Sequence, residues 1–292
     1  MEIVLALVSA LLFALGSVLQ QKAGLDEPPV GSSSRLLLRM AQRPIWLAGI
    51  ASDGLGFVAQ AAALGAGSLA VVQPLLVTSV VFALPLGVWL SGQRLRHSDV
   101  AAAVLVVVAL SGFLIIAKPS GGRSEAPVTD WLIAGAACAA ACGPLVLLGR
   151  RGAPRHRAAL LGTATGILFA LSAALTKAVV GELHVGVLHL IGSWELYALI
   201  AVGYSSMTLN QLALDTGALA AAIATSASFD PITSVVLGLA LFGEVLHASA
   251  IQAAATLAAL ALALIGMMVL ARKQVQAVQP ASAVQTAQPA SP

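Results

Sequence analysis

A chain of 292 residues in which 59% are hydrophobic and only 9% are charged cannot build a water-facing surface, because soluble proteins carry roughly 25% charge. Lipid must cover most of its outside, so the sequence reads as an integral membrane protein. The net charge of +3 is then a topological signal and excludes a nucleic-acid surface.

A membrane-crossing helix needs about 20 mostly apolar residues, and the sequence contains nine such stretches. The first, 3–21, follows acidic Glu2, and its first basic residue, Lys22, comes after the apolar run. That order predicts a span that stays in the protein, not a cleaved signal. A connection over 22–44 holds EPPVGSSS. The second span, 45–63, starts at Trp46, an interface anchor, and carries Asp53 and Gln60. The third, 68–91, is long and contains Gln73 and Pro74; the fourth is 99–117. In the fifth, 130–149, Cys138 and Cys142 are one helical turn apart. Two thiols are too few for structural zinc, so they read as small packing residues outside any disulfide framework.

The sixth span, 158–177, closes on Lys177. The connection 178–193 holds His184 and His189, which lack a metal-binding pattern and read as loop residues. The seventh, 194–213, starts with Trp194 and Glu195 and carries Asn210. The eighth, 218–241, carries Thr225, Ser226, Ser228, Asp230 and Pro231, with Glu244 expected at the membrane interface just beyond it. The ninth is 248–270. The tail, 271–292, has no apolar face to bury and reads as disordered.

Charge placement fixes an expected orientation. With nine spans, twelve basic residues fall on the side holding the 22–44 connection and three, Lys118, Arg123 and Lys177, fall on the other. The positive-inside rule makes the first side cytoplasmic, with the N-terminus outside and the tail inside. Eleven arginines against four lysines in an alanine-rich chain suggest a GC-rich bacterium and hence a bacterial plasma membrane.

The chain also repeats itself. LFAL at 12–15 recurs at 168–171, with Lys22 and Lys177 close behind. QAAALGAGSLA at 60–70 aligns with NQLALDTGALA at 210–220, pairing Gln60 with Asn210, and Gly92-Gln93 matches Gly243-Glu244. Residues 1–117 and 158–270 therefore form two four-helix repeats joined by a connector, 118–157, with the fifth span. Five spans separate each segment from its partner. That odd number inverts the second repeat, a construction used by alternating-access transporters with a site at mid-membrane. The expected fold is all-α: a polytopic bundle of about nine helices in a 4+1+4 inverted repeat.

Polar groups inside the spans mark the expected pathway. A proline frees a backbone carbonyl and kinks or interrupts a helix. In hydrocarbon such backbone survives only inside protein or beside a watery cavity. Gln73-Pro74 and Asp230-Pro231 therefore predict two broken or kinked helices around a central path. Asp53 and Asp230 face the interior, because a carboxylate facing lipid is costly. They could bind a cation, relay a proton or hold a polar substrate, or else fix helix packing. Gln60, Asn210, Thr225, Ser226 and Ser228 are further pathway candidates. Lys22, Lys177 and Glu195 stand at span ends, where a gating role competes with snorkelling to the interface. No phosphate loop, HExxH or G-x-S-x-G motif is present. An enzyme, a cofactor and direct use of ATP are accordingly not expected. A homodimer is compatible with the sequence but not specified by it.

SVLQQKAGL at 17–25, IWLAG at 45–49 and AVVQPLLVTSV at 70–80 resemble motifs of the drug/metabolite transporter superfamily, EamA-like folds included. The nine-span pattern is similar to its NIPA-like magnesium transporter branch. The superfamily classically has ten spans in two five-span inverted repeats, and this chain lacks the second span of each half. The resemblance implies a transporter of a small solute or inorganic cation. One departure concerns the ion: the branch carries a glutamate where GLGFVAQA at 54–61 places Phe57. Asp53, four residues earlier on the same helical face, is the candidate replacement, with Asp230 as second ligand if a cation is bound. A non-transporting membrane scaffold is the alternative from another class. It need not gather Asp53, Gln60, Asn210 and Asp230 around one cavity.

Overall fold

The structure is a computed structural model that describes residues 1–25, 42–91, 97–119, 122–123 and 125–246, with Ala258, Leu262 and Ile265 beyond. Its regular elements are helices: α1 (Glu2–Leu25), α2 (Pro44–Ala66), α3 (Leu69–Leu76), α4 (Ser79–Ser91), α5 (His97–Ala117), α6 (Val128–Leu148), α7 (Pro154–Val185), α8 (Val187–Gly192), α9 (Trp194–Leu214) and α10 (Leu219–Phe242). The protein is a multi-pass helical membrane protein. Among the described residues, seven helical segments are long and apolar enough to cross a bilayer, counting α3 and α4 as one. In hydrocarbon every backbone polar group must be satisfied within the segment, which a helix alone provides for a single span.

The outward faces fit lipid as solvent. Leu132 and Ile133 on α6 are 68% and 69% exposed, and Trp89 on α4 is 79% exposed. Patches of this kind on many helices would aggregate in water. The core is organised on α7. Two thirds of its most apolar window is buried, against less than half in each other spanning helix. It packs against α6, α9 and α10, while α1 packs against α2, α3 and α4. Cys138 and Cys142 are buried free thiols in this core, and Cys142 Sγ lies 3.6 Å from the Ala164 carbonyl of α7.

Small residues set the close approach of α7 to α10. A Cβ on Gly166 would stand 2.5 Å from the Ser226 carbonyl oxygen and 3.0 Å from the Asp230 nitrogen. This glycine acts within the chain, fitting one helix against another.

Three expectations are adjusted. The sixth span does not end at Lys177: α7 continues to Val185, and α8 occupies most of what remained of the connection. The two prolines act differently. The helix breaks after Pro74, with Val77 and Thr78 in a turn between α3 and α4, whereas α10 runs unbroken through Pro231. They are also not equivalent in position, since Pro74 lies five residues past the start of α3 and Pro231 twelve past the start of α10. The seventh predicted span is the helix α9, but with its Glu, Ser, Thr, Asn and Gln side chains it is not among those apolar enough to span by composition. Most of the 22–44 connection, the ninth predicted span except Ala258, Leu262 and Ile265, and the tail lie outside the described residues.

Candidate functional site

A cavity of about 710 Å³ lies among α1, α2, α3, α4, α7, α9 and α10. Its wall is largely apolar, with Phe13 on α1, Phe57 on α2, Phe169 on α7 and Leu199 on α9. Polar groups enter at separate points: Gln60 from α2, Gln73 from α3, Ser172 and Thr176 from α7, Ser206 from α9 and Asp230 from α10. The exposed lining residues, Phe57 on α2 and Ile200, Tyr204 and Met207 on α9, put the mouth between those two helices among the described residues. The volume falls in the range of small-molecule sites, roughly 300–1,000 Å³.

Gln73 is the least satisfied of these groups. Its residue is 3% exposed and its Nε2 has no hydrogen-bond partner among the described residues. The short α3 is buried from Leu69 to Leu75, which carries the amide into the bundle, and the following Pro74 ends the helix within one turn. There Thr78 Oγ1 donates to the Leu75 carbonyl at 2.6 Å and closes the break. A buried amide donor without an acceptor carries a desolvation penalty that a bound group can relieve.

Asp230 faces the cavity half-buried and accepts a 3.3 Å hydrogen bond from Ser234 Oγ one turn along α10. Pro231 next to it has no N–H, so the carbonyl four residues earlier, at Ala227, loses its helical donor. Ala227 lines the same cavity. The hydroxyls of Ser172, Thr176 and Ser206 donate to carbonyls of their own helices. Their oxygen lone pairs remain available as acceptors.

The predicted pathway residues divide. Gln60, Gln73, Asp230 and Pro231 line the cavity together. Asp53 is not among its lining residues: its Oδ2 accepts a 2.5 Å bond from Gln20 Nε2, which ties α2 to α1. Pro74 is fully buried behind Gln73, and Asn210 does not line the cavity. Thr225, Ser226 and Ser228 bond carbonyls one turn back on α10 and do not line it either. Lys22 is half-buried at the end of α1, away from it. Glu195 lies with Glu182 and His189 in a separate pocket formed by α7, α8 and α9. Among the described residues no group of three or more His, Cys, Asp or Glu is placed to hold a metal ion. Asp53 and Asp230 are therefore not two ligands of one such group.

One end of the bundle holds a network that reading single spans missed. Gly243, in the left-handed region at φ 61°, turns the chain after α10 and folds Glu244 back into the protein. Glu244, expected at the interface, is 3% exposed. Its carboxylate accepts the backbone N–H groups of Leu69 (2.6 Å) and Ala70 (2.9 Å) at the start of α3. Lys177 Nζ donates to Glu244 Oε1 at 2.6 Å and lies 4.6 Å from the centre of the Phe242 ring. Glu2 completes the cap by accepting the Ser68 N–H at 2.8 Å. Two carboxylates thus satisfy N–H groups that a helix start leaves free, at the positive end of its dipole. Trp131 packs edge-on against Trp194 and Phe242, and Arg123 Nε donates to the Leu241 carbonyl, sealing the same end. The available signal was two opposite charges, Lys177 and Glu244, at span ends expected on the same side.

No family model and no solved structure matches the chain. A protein of Corynebacterium glutamicum, described as uncharacterized, is 33% identical over 246 residues, which covers 84% of this chain and 85% of the relative. The chain belongs to the family of that corynebacterial protein.

Proposed function

We propose that the protein is a carrier that moves a small organic solute across a bacterial plasma membrane by alternating access through the central cavity. The observation that carries this reading is the placement of Gln73, with its buried unpaired amide, and Asp230 in one cavity walled by α1–α4 on one side and α7, α9 and α10 on the other. Each group is costly to keep away from water.

Two inverted repeats within the drug/metabolite transporter superfamily account for the architecture. Helix α10 starts at Leu219 and α3 at Leu69, the same 150-residue shift that aligns Gln60 with Asn210. Helix α7 packs on α9 and α10 as α1 packs on α2, α3 and α4. In this reading α9 and 248–270 complete nine spans, with the N-terminus outside. The end sealed by Lys177 and Glu244 is then the outer end, and the structure corresponds to a state closed to the outside. A magnesium carrier is less well supported, because the hard ion needs oxygen ligands gathered around it. Among the described lining residues the cavity offers one carboxylate in a mainly apolar wall.

The test is reconstitution of the full chain in proteoliposomes, with flux measured for a panel of organic cations, organic anions, neutral solutes and Mg²⁺. Saturable flux of an organic solute, reduced by Asp230→Asn, supports the carrier. Flux of Mg²⁺ alone, or of nothing in the panel, contradicts it.

A further inference from the structure

Among the described lining residues, Asp230 is the one carboxylate, and no Lys, Arg or His accompanies it. An anionic solute would enter a cavity with an acid and no counter-charge, whereas an ammonium group would give that acid its partner. The aromatic side chains of Phe13, Phe57, Phe169 and Tyr204 line the same space. Ring faces attract a cation and give an apolar body a surface to pack on. The amide nitrogen of Gln73 adds a second requirement. The residue lines the cavity, while this nitrogen lies just beneath the wall with no acceptor among the described residues. A turn of the side chain that brings it to the cavity surface lets an acceptor on the ligand, or water held with it, complete its bonding.

We infer that the cavity binds a monovalent organic ammonium compound with an apolar, aromatic-sized body and a neutral hydrogen-bond acceptor, the ammonium on Asp230 and the acceptor on Gln73. This assignment rests on the carrier reading of the cavity and adds the chemical class of the solute. The mouth between α2 and α9 suits such a compound. Phe57, Ile200 and Met207 on its rim are exposed apolar side chains on which the apolar body of such an amine can pack as it enters.

Three probes with one aromatic body separate the contributions. Phenylalaninol carries an ammonium and a hydroxyl acceptor, 2-phenylethylamine an ammonium alone, and 3-phenylpropionate a carboxylate. Binding to the purified full chain in lipid nanodiscs is measured by equilibrium dialysis. Phenylalaninol is expected to bind about tenfold or more tightly than 3-phenylpropionate, as a charge-assisted contact implies. Asp230→Asn should weaken phenylalaninol by about tenfold, and Gln73→Leu should weaken it by about threefold while leaving 2-phenylethylamine within about twofold. Equal binding of the anion, no saturable binding of phenylalaninol, or full affinity in both variants overturns the assignment. The probe ranking in the unsubstituted protein decides the matter even if a variant does not fold. Binding in the expected order without flux in proteoliposomes would contradict the carrier and leave the ligand class standing. Flux of other solutes without amine binding would overturn the ligand class alone.

Discussion

Lys177 and Glu244, 67 residues apart, meet in a buried 2.6 Å ion pair whose carboxylate also caps the start of α3. The contact joins a helix of the first half to two elements of the second. Removing one partner of a buried pair leaves an uncompensated charge, at a cost of about 3–5 kcal/mol. Lys177→Met should therefore lower the unfolding midpoint in detergent markedly, and Glu244→Gln should do the same. The double variant should recover part of the loss, with a coupling of about 0.5–3 kcal/mol in the cycle. Strictly additive losses would show that the pair does not act as a unit.

The two intramembrane aspartates should behave differently. Asp53 bonds Gln20 between α1 and α2 and does not line the cavity, while Asp230 does. Asp53→Asn is expected to cost about 0.5–1.5 kcal/mol of stability, the net value of one hydrogen bond. Solute flux per folded protein should stay within about twofold of the unsubstituted chain. Asp230→Asn should leave the fold intact and cut flux by about tenfold or more. Parallel flux assays on size-excluded, folded protein check both, and equal losses would contradict the division.

Close approach of α7 to α10 gives a packing prediction. Gly166→Leu forces a side chain into the Ser226 carbonyl and the backbone of Asp230, and overpacking of this kind costs about 1–3 kcal/mol. Gly135 on α6 has nothing within 4 Å of the position of an added Cβ. Gly135→Ala is therefore expected to stay within about 0.5 kcal/mol of the unsubstituted protein. Thermal unfolding of the two variants side by side is the measurement. Because Gly166 abuts the Asp230 backbone, its variant should also weaken solute binding.

Much of the fold was legible because span length and apolarity are local properties. The starts of α2, α7, α9 and α10 follow Trp, Pro and Gly signals visible in the chain. The pairing of Gln73 and Asp230 at one cavity was legible too, since each precedes a proline inside an apolar run. What a helix does after a proline depends on its neighbours: α3 breaks in a short buried segment, while α10 continues through its proline packed along α7. Asp53 and Asn210 looked like Gln60 and Asp230 in sequence; Asp53 shares a face of α2 with Gln60 and Asn210 a face of α9 with Ser206, so depth along each helix separates them from the cavity. The cap on α3 was not legible, because it needs Glu2, Ser68 and Glu244, from opposite ends of the chain, at one point in space.

The central claim is that the crevice holding Gln73 and Asp230 is a water-accessible path reached from one side at a time. Thiol labelling tests it most directly. With Cys138 and Cys142, the two native cysteines, replaced by alanine, Ser172→Cys places a thiol on the cavity wall and Ser228→Cys places one in a buried contact outside it. The account predicts that a membrane-impermeant thiosulfonate modifies the Ser172→Cys protein faster in inside-out vesicles than in right-side-out ones. Lys177→Met should raise the rate from the outside, and the Ser228→Cys protein should stay unreactive in both. No reaction of the Ser172→Cys protein from either side, or equal rates from both that ignore Lys177→Met, would contradict it.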